Sequence, residues 1–416
     1  MKKKIIGMLI VVFIFGSTFY STTGFAESAN THQFDYNKLQ VLGEIISRIQ
    51  ADYVDINNVD YDKMLNDILK ASVDSLGDKF SYYMTPFEIN EMNVSTESNY
   101  GGLGMVVTWN PDKKAVEIVS PMFGSPAWKA GLKAKDLIIS VNSSPTSEMG
   151  LNKSVSIMRG KVGTTLKLTI LRGTEKFDVE VTRAKIEIKT VKDTVINNNN
   201  EKIGYIRITE FSRPTAKEFQ EALEKLTAKG IDGLIIDLRN NPGGLLSSVV
   251  DVASLIIPNG EKIVSIKYRS YPEEIDKSYS GKYSKVPLVV LVNGGSASAA
   301  EILTGAVKDN KRGVIIGEKT YGKGSVQSIY PLSNGGALRL TIAYYYTPAG
   351  IKINKIGIEP NIVVKAKEYS KEELEKMYNE ENESMTTDKV YIDYDDPQLK
   401  AALQQLQKMI DLPKAG

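Results

Sequence analysis

Val286–Glu301 reads Val-Pro-Leu-Val-Val-Leu-Val-Asn-Gly-Gly-Ser-Ala-Ser-Ala-Ala-Glu. The apolar run to Val292 is short and uncharged, as a buried strand requires. Glycines break it, and the alanines and glutamate that follow open a helix. Strand, tight turn and helix in succession are the unit of an α/β core. Two serines, Ser296 and Ser298, lie at the mouth of that strand, where a reactive side chain can be displayed. A serine nucleophile ordinarily needs a histidine. The chain has one histidine, His32, near its N-terminus, and no cysteine.

The α/β pattern spreads outward from this turn. Ile203–Ile208, Gly233–Leu238, Gly313–Gly317 and Leu338–Tyr346 read as strands. Thr215–Lys229 reads as a helix with Phe219, Leu223 and Leu226 on one face. Between Ile257 and Lys285 the chain is rich in Tyr, Lys and Ser, which predicts a surface hairpin. Upstream, residues 34–94 read as a helical region. Leu39, Val41, Leu42, Ile45, Ile46 and Ile49 recur at helix spacing, as do Met64, Leu65, Ile68 and Leu69. Residues 95–184 change to glycine-rich, alternating short strands, with Leu166, Leu168 and Ile170 on one face. The expected fold class is therefore α/β, a mixed-sheet core over residues 185–368, with an inserted β-domain and an N-terminal helical region. Residues 369–416 are expected to form a charged linker and a terminal helix. The acidic cluster Asp393–Asp396 reads as a solvated turn, since its spacing fits no calcium loop.

Composition narrows the function. Of 416 residues, 52 are basic and 50 acidic, for a formal charge of +2. That balance gives no argument for nucleic acid as a partner. Met1–Lys4 is basic, Ile5–Phe19 is apolar, and Gly24-Phe25-Ala26 offers small residues for a cut before Glu27. Residues 1–26 thus have the layout of a secretory signal peptide, or of an anchor if uncut. Either puts the bulk of the chain outside the cytoplasm, secreted or tethered to the membrane. The N-terminal helices offer packing faces or a homodimer contact. No cofactor or metal is implied.

Without a usable histidine, a Ser-His-Asp triad and a His-Glu-x-x-His zinc site both fail. Neither Gly-x-Ser-x-Gly nor Ser-x-x-Lys occurs. What remains is a lysine base delivered from a distance. Lys323 stands between Gly322 and Gly324, held by backbone instead of bulk. An ordinary lysine titrates near ~10.4, so neutrality at pH 7 needs a fall of about 3.4 pH units, roughly 4.6 kcal/mol. Burial is able to supply that. Gln327, four residues on, carries an amide oxygen that can orient the amine.

The β-domain has its own chemistry. Gly101-Gly102-Leu103-Gly104-Met105 opens onto a strand. Successive backbone N–H groups in such a loop converge on a carboxylate, and the strand edge accepts an extended peptide. Together with Ala130-Gly131-Leu132 and Asp136–Asn142, this segment resembles a PDZ domain of the bacterial type. The resemblance implies a polypeptide C-terminal tail as ligand, held at Gly102, Leu103, Gly104, Met105 and Met158, with an apolar last residue. Arg159, after Met158, reads either as a surface arginine or as a reporter of occupancy.

Gly295–Glu301 and Thr320–Gln327 together resemble the carboxyl-terminal processing proteases, serine peptidases with a Ser-Lys-Gln site. In that family the second serine of Ser-Ala-Ser is the nucleophile and the lysine follows 25 positions later. Here 323 − 298 = 25, so the resemblance assigns Ser298 and not Ser296. It also implies an oxyanion hole from Gly243 or Gly244, in the Asp237–Gly244 run, together with Ala299. The Leu76–Tyr82 stretch lacks a histidine common in related sequences. The expected function is a secreted or envelope serine endopeptidase that recognises polypeptide tails and cuts by a Ser-Lys acyl-enzyme route. Its alternatives are an idle PDZ scaffold that binds protein C-termini, and a β-lactam-acylating Ser-Lys enzyme.

Overall fold

The computed structural model describes residues 34–122, 124–370, 373, 390 and 392–411. The expected signal segment, His32 and most of the charged linker fall outside the described residues. The chain divides into two units, Met1–Met64 and Leu65–Gly416. In the first, α1 (Leu39–Asp52) is a helix with no buried residue. Its apolar face, with Leu39, Val41 and Ile45, is exposed. The helix α2 (Tyr61–Asp74) falls on the division. No helix among the described residues is long and apolar enough to cross a membrane.

The expected helical region over residues 34–94 is present, with one short strand inside it. Tyr82–Met84 forms strand β1, followed by α3 (Pro86–Glu97). Three residues carry no local strand pattern. They are extended because Tyr82 pairs with Arg339, Tyr83 with Leu338 and Met84 with Ala337. Thr85 caps α3, its side chain accepting from the Glu88 N–H, with Pro86 in the first turn.

The β-domain follows. β2 (Asn99–Gly102) leads into β3 (Met105–Asn110), β4 (Ala115–Pro121), β5 (Leu137–Val141) and the short β6 (Ser144–Pro145). The short helix α4 (Pro126–Lys129) precedes β5, the helix α5 (Thr146–Met158) is broken at Gly150, and β7 (Thr165–Arg172), β8 (Glu175–Thr182) and β9 (Ala184–Glu187) complete the domain. β3-β4-β5-β7-β8 make one sheet, and β2 pairs with β9 where the chain enters and leaves. Leu166, Leu168 and Ile170 are buried against Val116, Ile118 and Ile138, as their alternation requires.

The central sheet has the order β10 (Val191–Asn198), β11 (Glu201–Ile208), β12 (Gly233–Asp237), β15 (Leu288–Val292), β16 (Val314–Gly317) and β19 (Ile362–Val363). Pairing is antiparallel between β10 and β11 and parallel from there on. Parallel strands are buried on both faces, which is why their sequences are unbroken apolar runs. Leu234, Ile236, Val290 and Val292 face helices α6 (Thr215–Ala228), α7 (Leu246–Ile256) and α8 (Ala299–Asp309). Ile235, Val289 and Leu291 face Leu399, Ala402 and Leu406 of the terminal helix, Pro397–Asp411. That helix is one of the two layers covering the sheet. Leu406→Ala is expected to cost about 2–5 kcal/mol of folding free energy. A urea midpoint equal to that of the parent chain would contradict this packing.

A further sheet carries β1, β13 (Lys262–Tyr268), β14 (Glu274–Lys277), β17 (Ser325–Pro331) and β18 (Ala337–Tyr346). The expected surface hairpin is present as β13 and β14. It is not all surface: Ile263, Val264 and Ile266 are buried, because β13 pairs with β18.

Candidate active site

Ser298 stands between β15 and α8 with φ 54° and ψ −116°. A left-handed φ at a residue with a side chain costs energy and persists only where surrounding contacts hold it. Ser296, by contrast, is fully buried. Its hydroxyl donates to the Leu238 carbonyl at 2.8 Å and accepts from the Asn293 N–H at 3.0 Å. The two serines are thus separated by role: one braces the turn, and the other lines a cleft of about 670 Å3 together with Lys323, Gln327, Gly244 and Arg339.

Glu301 ties the serine to the lysine loop. This wholly buried carboxylate accepts from the Ser298 N–H at 2.9 Å, the Thr320 hydroxyl at 2.6 Å, the Gly322 N–H at 2.7 Å and the Lys323 N–H at 2.8 Å. Burial pushes its pKa up, and those donors oppose the rise. The sequence reading did not single it out, although a glutamate three positions into a helix that follows a serine is a capping signal.

Lys323 is held below the usual lysine range, first by burial and then by the neighbouring cation Arg339. Lys79 acts in the same direction and Glu301 opposes them. The Lys323 Nζ sits 5.1 Å from the centre of the Phe80 ring. Lys79 Nζ lies 4.9 Å from the same ring and donates to the Tyr321 hydroxyl at 2.6 Å. The ring face favours the charged amine, whereas burial and the flanking cations disfavour it and prevail.

Among the described residues no hydrogen bond joins Ser298 to Lys323, and none joins Lys323 to Gln327. The expected contact between the Gln327 oxygen and the lysine is replaced. That oxygen accepts from Arg339 Nη2 at 3.3 Å, while Gln327 Nε2 donates to Ser325 Oγ at 2.8 Å and Thr341 Oγ1 at 3.2 Å. Arg339 competes for the acceptor because β18 runs beside β17 and Ile329 pairs with Arg339.

The glycine loop meets the serine turn. A Cβ on Gly243 would lie 2.6 Å from Ser298 Cβ and 2.8 Å from the Ala299 nitrogen. Only glycine permits this approach. The Gly243 N–H donates to Asn241 Oδ1 at 2.8 Å, so it is already engaged. Gly244 pairs with Phe211 through the Gly243 carbonyl and the Leu245 N–H. Its own N–H has no acceptor among the described residues. Ala299 begins α8, so its N–H lacks an intrahelical partner. Of the three expected donors, Gly244 and Ala299 remain available.

A second cleft, of about 380 Å3, belongs to the β-domain and is lined by Leu103, Gly104, Met105 and Met158. The Leu103 and Gly104 carbonyls accept from the Ala127 and Met122 N–H groups. Their own N–H groups have no acceptor among the described residues. Gly102 does not line this cleft; a Cβ there would strike the Tyr100 ring. Arg159 does line it and is not a free surface arginine. It pairs with Glu91 of α3 and lies 4.8 Å from the centre of the Tyr100 ring. Glu91 is a wall of both clefts.

The family model for Peptidase family S41 matches residues 202–364, and that for the PDZ domain matches residues 91–171. The chain is 38% identical over 372 residues to a carboxy-terminal-processing protease of Bartonella bacilliformis, covering 88% of this chain and 83% of that protein. It is 36% identical over 368 residues to the carboxy-terminal processing protease CtpA of Bacillus subtilis, covering 88% and 76%. A solved photosystem II D1 C-terminal processing protease is 30% identical, with a TM-score of 0.47, over 80% of this chain and 94% of that one.

Proposed function

Because the chain belongs to peptidase family S41, among the carboxy-terminal processing proteases with a PDZ domain, we propose that it cuts polypeptides by a Ser-Lys mechanism outside the cytoplasm. The observation that carries this is the sharing of one cleft by Ser298, Lys323, whose pKa burial lowers, and the Gly244 loop. Neutral Lys323 takes the Ser298 hydroxyl proton as Oγ attacks the scissile carbonyl. The Gly244 and Ala299 N–H groups receive the oxyanion. Collapse breaks the C–N bond, and Lys323 returns the proton to the leaving amine. Water then attacks the acyl-enzyme with the same amine as base. Gln327 holds Arg339, Ser325 and Thr341 in register beside the lysine. The layout of residues 1–26 supports the extracytoplasmic site, and the exposed apolar face of α1 supports a homodimer contact.

The substrate class is a polypeptide with an apolar C-terminal tail, its carboxylate on the Leu103 and Gly104 N–H groups and its last side chain against Met105 and Met158. The test is cleavage of a loosely folded protein with such a tail by the chain from Glu27. Cutting by the parent and none by Ser298→Ala supports the reading. Equal cutting by both removes it.

The Arg159–Glu91 pair gives the tail-binding groove a route to the catalytic cleft. Gating predicts that a free apolar tail peptide changes the cleavage rate of a short substrate that has no tail of its own. An unchanged rate leaves the groove as a tether only.

A further inference from the structure

We propose that Asp396, at the start of the terminal helix, is a positioning residue for the oxyanion loop and acts through Arg239. This rests on the reading of Ser298 and Gly244 given above. It corrects the expectation that Asp393–Asp396 is a solvated turn: a turn is there, but Asp396 is buried.

Arg239 lies at the root of the loop that ends at Gly244. Its guanidinium is gripped on two sides. Nε lies 3.0 Å from both oxygens of Asp237, and Nη2 lies 2.6 Å from Oδ2. The far edge, Nη1, donates to Asp396 Oδ2 and, at 3.0 Å, to Gln398 Oε1. The side chains of Arg239 and Asp396 are 20% and 7% exposed, so the pair is largely out of water. Asp396 is itself fixed. Its other oxygen accepts from the Gln398 N–H at 2.9 Å, the position of a helix N-cap ahead of Pro397. Gln398 Nε2 donates to the Val364 carbonyl at 2.8 Å. Tyr205 donates to Asp237 Oδ2 at 2.5 Å, closing the network beneath the loop.

The loop has further pins besides its contacts with Phe211, and the Asn241 carbonyl accepts from the Ala297 N–H at 2.9 Å. The Asn240 N–H donates to Asn293 Oδ1 at 2.9 Å, and Asn241 Nδ2 donates to the Ile208 carbonyl at 2.8 Å. All these partners lie inside residues 202–364, the S41 match, whereas Asp396 lies beyond it. Of the two carboxylates that grip Arg239, Asp237 is local to the loop, and Asp396 reaches it only through the terminal helix. Charge-assisted bonds to a guanidinium are directional. Without Asp396 a nearly buried cation is half-paired, and it relieves this by moving toward water with the loop attached. The Gly244 N–H would then leave the position where negative charge develops, a loss felt in the transition state and hardly in substrate binding.

The test uses Asp396→Asn and Asp396→Ser, because both residues still cap a helix. One readout is the rate at which a fluorophosphonate labels Ser298, followed by intact mass. The others are kcat and KM on the tailed protein, tail-peptide affinity, and the unfolding midpoint. Asp396→Ser is expected to lower labelling and kcat by about tenfold or more, and Asp396→Asn by less. KM and tail affinity should stay within about twofold, since neither contact is in the binding grooves. Folded variants that are labelled and turn over like the parent overturn the proposal. So does a change confined to KM, or loss of cooperative unfolding, which assigns Asp396 to the fold alone. A parent chain that is never labelled at Ser298 overturns the Ser-Lys reading and this inference with it.

Discussion

Lys323→Met is expected to lower kcat on a tailed protein substrate by roughly 10³-fold or more, with KM little changed. Methionine fills the same volume beside Phe80 and keeps the apolar surroundings, so the loss isolates the amine. The backbone contacts of position 323 to Glu301 are untouched, because they use the N–H and not the side chain. The pH dependence follows from the same group. The active form carries neutral Lys323, so kcat/KM rises with pH through its pKa. Burial, Arg339 and Lys79 hold that pKa down and Glu301 raises it. The rising limb is therefore expected below the ~10.4 of an ordinary lysine. Arg339→Met removes a cation facing the amine and should move the limb to higher pH. A limb that stays in place, or moves down, would mean that another group sets the profile. Retention of most activity in Lys323→Met would end the lysine-base mechanism outright.

The second large effect is expected at Gly244. Its φ is +142°, and an added Cβ would lie 2.0 Å from the Phe211 carbonyl oxygen. That is backbone, which cannot step aside as a flexible side chain would. Gly244→Ala must rotate the loop and carry the N–H away from Ser298, at an expected cost of about 10²–10³ in kcat, the scale of one lost oxyanion donor. Gly243→Ala meets Ser298 Cβ itself at 2.6 Å and should be as damaging. The β-domain lies outside this strain, so tail-peptide affinity should be unchanged in both variants. Activity within threefold of the parent in Gly244→Ala would mean that charge on the carbonyl oxygen is stabilised elsewhere.

Much of the site could be read from the chain alone, because its geometry is locally encoded. An apolar strand, glycines and an alanine-rich helix start dictate a sharp turn, and that turn displays Ser298. Glycines on both sides of Lys323 let backbone hold the lysine against bulkier neighbours. Leu166, Leu168 and Ile170 alternate because one face of their strand is buried. The terminal helix also follows from the sequence, and it forms at Pro397–Asp411. Asp-Pro-Gln at its start is a cap signal that the solvated-turn expectation for Asp393–Asp396 leaves unused.

What the chain alone decided, then, is the choice of elements and the residue types that carry the chemistry. Turn angles, amphipathic faces and caps depend on neighbours within a few positions. Tertiary structure decided which groups face one another. Arg339, from the neighbouring strand, took the Gln327 oxygen that the spacing had offered to Lys323. Tyr82–Met84 became a strand only because β18 offers it an edge. Asp396 left water because Arg239, 157 positions away, needed a second anion. Such pairings are selected by burial and by the need to satisfy each buried polar group, conditions that exist only once distant segments have met.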